Sequence, residues 1–463
     1  MALVQKSASR TRGKNDADFW TATLGRDDCA NSHVSDDFAV TPHPSVQRNR
    51  SGLSRFSKTV QFVALNVSMA PARAQLDPLR SFIFLYVLMY AAFGVASPFW
   101  PRFFETRGMT PEQIGLLLGL GTIVRLVAGP VAARTADRLQ QLRGVLAVAA
   151  VLAACLAFGL VWVGGFWIFL IVRLCHEAAL TPTTSLADAL ALGASKSRTA
   201  PEKRFEYGWV RGSASAAFVF GTMIAGQVIG WAELTSIAWM HAVLLLGAAA
   251  SAMLLPAPDN EAQAAPEPSS FRAIRELMGI VVFRRVVLIA ALVLGSHAMH
   301  DSFAVIRWNA AGIGPTTISV LWSEAVVAEV IIFILIGPRL VDAIGPGGAA
   351  AIASIAAILR WIVMASSTSP ITLAMVQPLH GMTFALLHLA CMRLIGASVP
   401  QHLAATGQAI YALGPGLATA LLTLSSGMLY ARLGANGFLL MALLSALALP
   451  LCLRLQRSVR RFD

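Results

Sequence analysis

The sequence predicts an all-α membrane protein of twelve transmembrane helices, arranged as two six-helix halves with internal pseudo-symmetry. Three observations carry this. The composition is that of a bilayer protein, the apolar stretches come in twelve windows of membrane-spanning length, and the two sets of six repeat each other at a constant offset. Of 463 residues, 56% are hydrophobic and 13% charged, against about 25% charged in a soluble domain. The mean hydropathy is +0.65. Thirty-six basic and 24 acidic residues leave a formal charge of +12, which in isolation would suggest nucleic-acid binding. So much apolar surface excludes that partner, and composition likewise excludes disorder and a disulfide scaffold.

A bilayer core needs about 20 apolar residues per helix. Such windows lie near 81–100, 111–133, 144–163, 166–190, 207–230 and 235–255, then near 284–308, 315–337, 348–366, 370–395, 406–430 and 435–455. PAPDNEAQAAPEPSS separates the two sets and reads as a polar linker. The domain expectation is an N-terminal tail at 1–79, a first half at 80–255, a linker at 256–281 and a second half at 282–463. The tail lacks an apolar span or a signal-peptide core. It reads as disordered or as an over-extended reading frame, with Met69 a natural start.

Basic residues fix the orientation. Nineteen, among them Arg134, Arg138, Arg143, Arg204, Arg272 and Arg284, fall on one side of the spans, and only Arg102, Arg107, Arg307 and Arg432 on the other. Both termini are therefore expected in the cytoplasm. The five cysteines show no metal-ligand spacing, and four sit in apolar runs where Cys packs as a small hydrophobe.

The repeat appears first in RGMTPEQIGLL and AGIGPTTISVL, where Gly108 matches Gly312 and Pro111 matches Pro315 at an offset of 204. The same offset pairs Tyr207 with Tyr411, Gly212 with Gly416, His176 with His380, and Arg125 with Glu329. Paired halves are a common plan for transporters.

Four cations (Arg125, Arg173, Arg211, Arg360) and four acids (Glu177, Asp301, Glu324, Glu329) fall inside predicted spans. Facing lipid, the eight would cost roughly 20–28 kcal/mol at about 2.5–3.5 each, so they must face one another or a watery cavity. At 1.5 Å per residue, Arg125 and Glu329 each lie roughly 20 Å into their spans, with Arg211 within reach of Glu329. His297, His300 and Asp301 share one helix face, as do Arg173, His176 and Glu177. A carboxylate that exchanges an Arg partner for an apolar wall exchanges its proton with it, and histidine relays protons near neutral pH.

Glu329, with Asp301 and Glu324, carries the coupling proton; Arg125 and Arg211 are the alternating charge partners. Arg173, His176, Glu177, His297, His300 and His380 contact substrate. Plainer readings stand beside these. Arg360, next to Trp361, reads as a snorkelling interface anchor. Arg173 and Glu177 form an intrahelical pair, His176 and His380 are satisfied packing histidines, and Trp100, Trp308 and Trp322 are belt or packing residues. No P-loop, HExxH, Cys/His cluster or nucleophile elbow is present, so neither an enzyme nor a metal or organic cofactor is expected.

Twelve spans in two halves resemble the major facilitator superfamily. GPVAARTADRLQQLRG is similar to that superfamily's loop signature, with Asp137 and Arg138 in its charged core. IGPRLVDAIGPGG keeps Arg339 and Asp342 in the second half. SPFWPRFFETRGMTPEQIGLLLG, YGWVRGSASAAFVFG, WNAAGIGPTTISVLWSEAVVAEVIIF, LRWIVMA and LHGMTFALLHLACMR resemble the phenylpropionate permease family. The resemblance implies a monomeric bacterial inner-membrane symporter that takes up a small organic solute, such as an aromatic carboxylate, with a proton. Helices 1, 4, 7 and 10 would line its cavity, helices 2, 5, 8 and 11 would move, and the two charged loops would gate. Sugar or nucleoside symport, drug efflux and a non-transporting membrane sensor are the alternatives.

Overall fold

The computed structural model describes residues 77–196, 204–256 and 271–459. The tail and most of the predicted polar linker lie outside these. Among the described residues every regular element is a helix, with no strand, and the helices group into twelve spans.

Span 1 is Pro78–Ala96 continued by Trp100–Thr106, span 2 Pro111–Leu139, span 3 Leu142–Trp162, span 4 Phe166–Ser195, span 5 Tyr207–Trp231 and span 6 Ser236–Ala252. Span 7 is Val281–Gly295 with Ala298–Ala310. Span 8 begins as Pro315–Ile331, widens into a π-turn at Ile332–Ile336 and runs to a break at Gly345. Span 9 follows that break and ends at Ser366. Span 10 starts at Pro370, passes a π-turn at Met382–Leu386 and ends as Leu387–Ser398; span 11 is Ala404–Leu433 and span 12 Gly437–Val459.

One expectation needs correction: span 1 is not continuous, because the Ser97-Pro98 step interrupts its hydrogen-bond ladder. After the polar stretch, the 256–281 segment carries a helix, Phe271–Gly279, whose Leu277 is buried. Its apolar residues recur at helical spacing, which outweighs its charge.

Each half packs in the same order. Spans 1 and 5, 3 and 6, 3 and 4, 2 and 4, and 1 and 6 pair in the first; spans 7 and 11, 9 and 12, 9 and 10, 8 and 10, and 7 and 12 pair in the second. The repeat extends to backbone conformation. Gly108 and Gly312 have φ of 78° and 82°, the left-handed region open to glycine, each closing the turn before a helix that starts with Pro. In lipid, helices associate by close packing of small residues. Spans 1 and 5 accordingly meet backbone to backbone at Gly94 and Phe218 and at Gly221 and Ala91, with Thr222 Oγ1 donating to Gly94 O at 2.9 Å.

The halves meet through spans 2 and 11 and through spans 5 and 8. Their tightest approaches lie toward the side bearing the turns at 106–111 and 310–315, here the loop side. A Cβ on Gly115 would stand 2.7 Å from Gly427 N, and one on Gly226 would stand 2.8 Å from Pro315 O. Buried Phe99, Trp100, Phe103, Phe104 and Trp308 fill the same end. Toward the opposite, terminal side, a Cβ on Gly212 of span 5 would meet nothing within 4 Å. Exposed Trp162, Trp167 and Trp231 ring the loop side, as interface-belt tryptophans do.

Candidate functional site

A cavity of about 780 Å³ lies between the halves, lined from spans 1, 2, 4, 5 and 6 and from spans 7 to 11. Sealed on the loop side, it is reached from the terminal side. Seven charged residues line it: Arg125, Arg173, Arg211 and Arg360 against Glu177, Asp301 and Glu329.

In the first half, buried Arg173 forms an ion pair with Glu177 one turn along span 4. Arg125 Nε approaches the same carboxylate at 3.8 Å, and its Nη2 donates to Thr122 Oγ1 at 2.9 Å. The Arg173 guanidinium also donates to His176 Nδ1 at 2.6 Å and lies over the Trp100 ring at 5.2 Å. Glu177 thus serves as counterion to the buried Arg173 and is shared with the half-exposed Arg125, which leaves this cluster with one cation in excess.

The second half is arranged differently. Arg360 is fully buried and no carboxylate lies within 4 Å of it among the described residues. Its Nη1 donates to His380 Nδ1 (3.1 Å), and its Nη2 to His300 Nε2 (3.3 Å) and Gln377 Oε1 (2.7 Å). Because a guanidinium only donates, each imidazole must present its lone pair to it and its N–H to the far side. On that far side stand the acids. Glu329 Oε2 is 3.6 Å from His380 Nε2, and Asp301 Oδ1 is 3.2 Å from His300 Nδ1. One guanidinium is thus joined through two imidazoles to two carboxylates on spans 7 and 8. Trp322 stacks on His300 at 5.0 Å, and His297 hydrogen-bonds Thr383 Oγ1 at 2.9 Å.

Arg360 is therefore not the snorkelling anchor its neighbour Trp361 suggested; it points inward because its face of span 9 packs on spans 7 and 10. Trp100 and Trp322 are cavity walls, while Trp308 is packing. Glu324 stays off the cavity. Trp322, Ala325, Val326 and Glu329 form the lining face of span 8, whereas Glu324 is half-buried on another face, with its Oε1 enclosed by the protein. Neither Arg125 nor Arg211 touches Glu329: the first is held by Glu177, and Arg211 lies over the Tyr90 ring at 5.0 Å. Of the loop residues, Asp342 pairs with Arg393 of span 10, Arg339 donates to Leu335 O at 3.1 Å and Arg138 is exposed. The Asp137 side chain lies outside the described ones.

Two participants escaped the sequence reading. His241 of span 6 hydrogen-bonds His176 at 3.2 Å, and Asp188 of span 4 accepts hydrogen bonds from Tyr86 (2.5 Å) and Tyr207 (2.8 Å), tying spans 1, 4 and 5 together. Asp188 lay at a predicted span end, where a charge draws no notice; its signal was two tyrosines at the matching depth. Among the described residues no group of three His, Cys, Asp or Glu is placed to hold a metal ion.

The MFS_1 like family model matches residues 79–440. The chain belongs to the major facilitator superfamily, in that family. It is 32% identical over 367 residues to the "Probable 3-phenylpropionic acid transporter" of Escherichia coli (strain K12), covering 78% of this chain and 93% of the relative. The solved nucleoside transporter NupG superposes with a TM-score of 0.68 at 16% identity, covering 82% of this chain and 98% of that one. A bacterial homologue of the human lysosomal transporter Spinster, solved in an inward-facing and unoccupied conformation, gives 0.67 at 13% identity, covering 84% and 98%. The fold is that of the superfamily, and the protein is a multi-pass inner-membrane secondary transporter of a small molecule rather than an enzyme.

Proposed function

We propose that this transporter takes up a small aromatic carboxylate together with protons, and that Arg360 receives the carboxylate. The observation that carries this reading is the asymmetry between the two buried guanidinium groups. Arg173 already has a counterion, whereas Arg360 faces the same cavity with only neutral acceptors around it. The four cations lining the cavity outnumber its three acids, so an anion entering it completes the charge balance. A neutral sugar would leave that imbalance in place. The name of the E. coli relative supports 3-phenylpropionate as the first substrate to try, and the aromatic walls at Trp100, Trp322, Phe93 and Phe384 suit its ring.

A carboxylate arriving at Arg360 competes for the donors that hold His380 and His300. Release of either imidazole changes what its carboxylate meets, and a carboxylate that loses a polarised N–H partner takes up a proton. Glu329 is the coupling acid in this scheme and Asp301 a second one. Arg125 and Arg211 meet Glu329 only when the halves close on the terminal side. His176 and Glu177 hold Arg173 at the cavity wall, while His297 shapes the opposite wall. The basic side of the spans supports cytoplasmic termini, so the present state faces inward. The first half at 80–255 and the second at 282–463 would rock about the cavity, with 256–281 between them, the loops at Asp137, Arg138, Arg339 and Asp342 as gates, and one chain as the working unit.

Proteoliposomes carrying the purified protein test this directly. Adding 3-phenylpropionate should alkalinise the medium as it is taken up, and a proton gradient should drive its accumulation. Uptake of maltose or nucleosides in its place, or no proton movement, would overturn the reading.

A further inference from the structure

The hydrogen bonds behind the first-half wall run in one direction only. Arg173 can only donate, so His176 Nδ1 is an acceptor. Neutral His176 then carries its proton on Nε2 and donates it to His241 Nε2 at 3.2 Å. His241, accepting there, carries its own proton on Nδ1 and donates to Ala92 O at 2.8 Å. His241 is 1% exposed and is the residue through which span 6 reaches the cavity lining. Trp100 closes over both rings edge-on, at 6.1 Å from His176 and 5.9 Å from His241.

We infer that His241 is a positioning residue, which through His176 fixes where the Arg173 guanidinium stands in the cavity. This rests on the reading of Arg173 as part of the substrate-binding wall. With no acceptor at His241, His176 can move its proton from Nε2 to Nδ1 and meet Arg173 donor against donor, and the guanidinium then swings from its place. His241 holds the other tautomer by accepting from Nε2–H. Its own orientation comes from Ala92 O, a carbonyl inside the first helix of span 1. That carbonyl already accepts a bond from within its helix, so the His241 bond orients the ring without being needed to satisfy Ala92.

Two substitutions separate the ends of the chain. In His241→Gln the side-chain oxygen takes the place of Nε2 and still accepts from His176. In His241→Asn the amide takes the place of Nδ1, still donates to Ala92 O, and leaves His176 without its acceptor. For 3-phenylpropionate uptake by the full chain in proteoliposomes, the Gln variant should keep KM within about twofold. The Asn variant should raise it by about tenfold with little change in kcat, the size expected for losing one buried hydrogen bond. Phenylglyoxal labelling of Arg173, mapped by peptide mass spectrometry, gives a readout that needs no substrate; it should quicken in the Asn variant alone. The opposite order, with Asn harmless and Gln damaging, would make His241 a scaffold contact to span 1. Equal damage or equal indifference would also overturn the proposal. If the wild type fails to take up 3-phenylpropionate, the substrate reading falls and the labelling rates still decide the role of His241.

Discussion

Glu329 Oε2 stands 3.6 Å from Nε2 of His380, across the contact between spans 8 and 10. At the matching place in the first half, spans 2 and 4 meet through Arg125 and Glu177 at 3.8 Å. Arg125 is the counterpart of Glu329, and His176, the neighbour of Glu177, is the counterpart of His380. The two halves thus make the same crossing with opposite charges at its key position. The second half has Gly381 where the first has Glu177, so its acid comes from the neighbouring span. That glycine also lets the spans approach: a Cβ on it would lie 2.7 Å from Ala328 O.

Glu329→Gln keeps the shape of the side chain and removes its titration. Uphill accumulation of substrate should vanish, while counterflow exchange, which needs no net proton movement, should continue. Unchanged accumulation in the presence of a pH gradient would remove Glu329 from the coupling step.

Arg360→Lys preserves charge but cannot reach two imidazoles and Gln377 together, because an ammonium lacks the planar fork of a guanidinium. Kd for a carboxylate substrate should rise about tenfold or more, with no comparable change for binding of the matching neutral amide. Isothermal titration of the purified variant with both ligands checks this.

Much of this site was legible before folding. Charges inside apolar windows announced a buried polar set, and the 204-residue offset picked out Arg125, Glu329, His176 and His380 as structurally equivalent pairs. The partnerships were not legible, because depth along a helix does not reveal azimuth. Arg125 and Glu329 share a depth, yet each is held within its own half. Glu324 and Glu329 share a span, yet the first is half-buried away from the cavity lining. Arg360 and His241 each come from a span otherwise remote from the cavity. Only the packing of spans 9 and 6 against their neighbours turns these side chains inward.

The ion pair of Arg173 and Glu177 should matter most when only half removed. Glu177→Ala alone leaves the buried Arg173 uncompensated, at a cost of about 3–5 kcal/mol, and should lower Tm in detergent markedly; Arg173→Ala should cost less, because Arg125 remains beside Glu177. The double substitution should recover much of that loss. A double variant no more stable than the worse single one would show that the pair contributes little as a pair.

Gly226→Val places methyl groups where span 5 meets Pro315 O and Ser319 of span 8. The loop-side seal should not close around them, shifting the population toward a form open on that side. Spin labels on cysteines introduced at Glu233 and Ala311, both exposed on loop-side turns, should move apart in a dipolar distance measurement. An unchanged distance distribution would mean that the seal is held elsewhere.

The turns at 106–111 and 310–315 lie on one side, so the axis that relates the halves runs along the membrane normal. Exchanging the halves returns the same open form, and the repeat by itself favours neither side. What the sign reversal changes is the field inside the cavity. With identical halves the positions of Arg125 and Glu329 would hold two cations or two anions, and the bundles would repel each other there. A cation on one half and an anion on the other replace that repulsion with attraction across the axis, and a proton on Glu329 switches the attraction off.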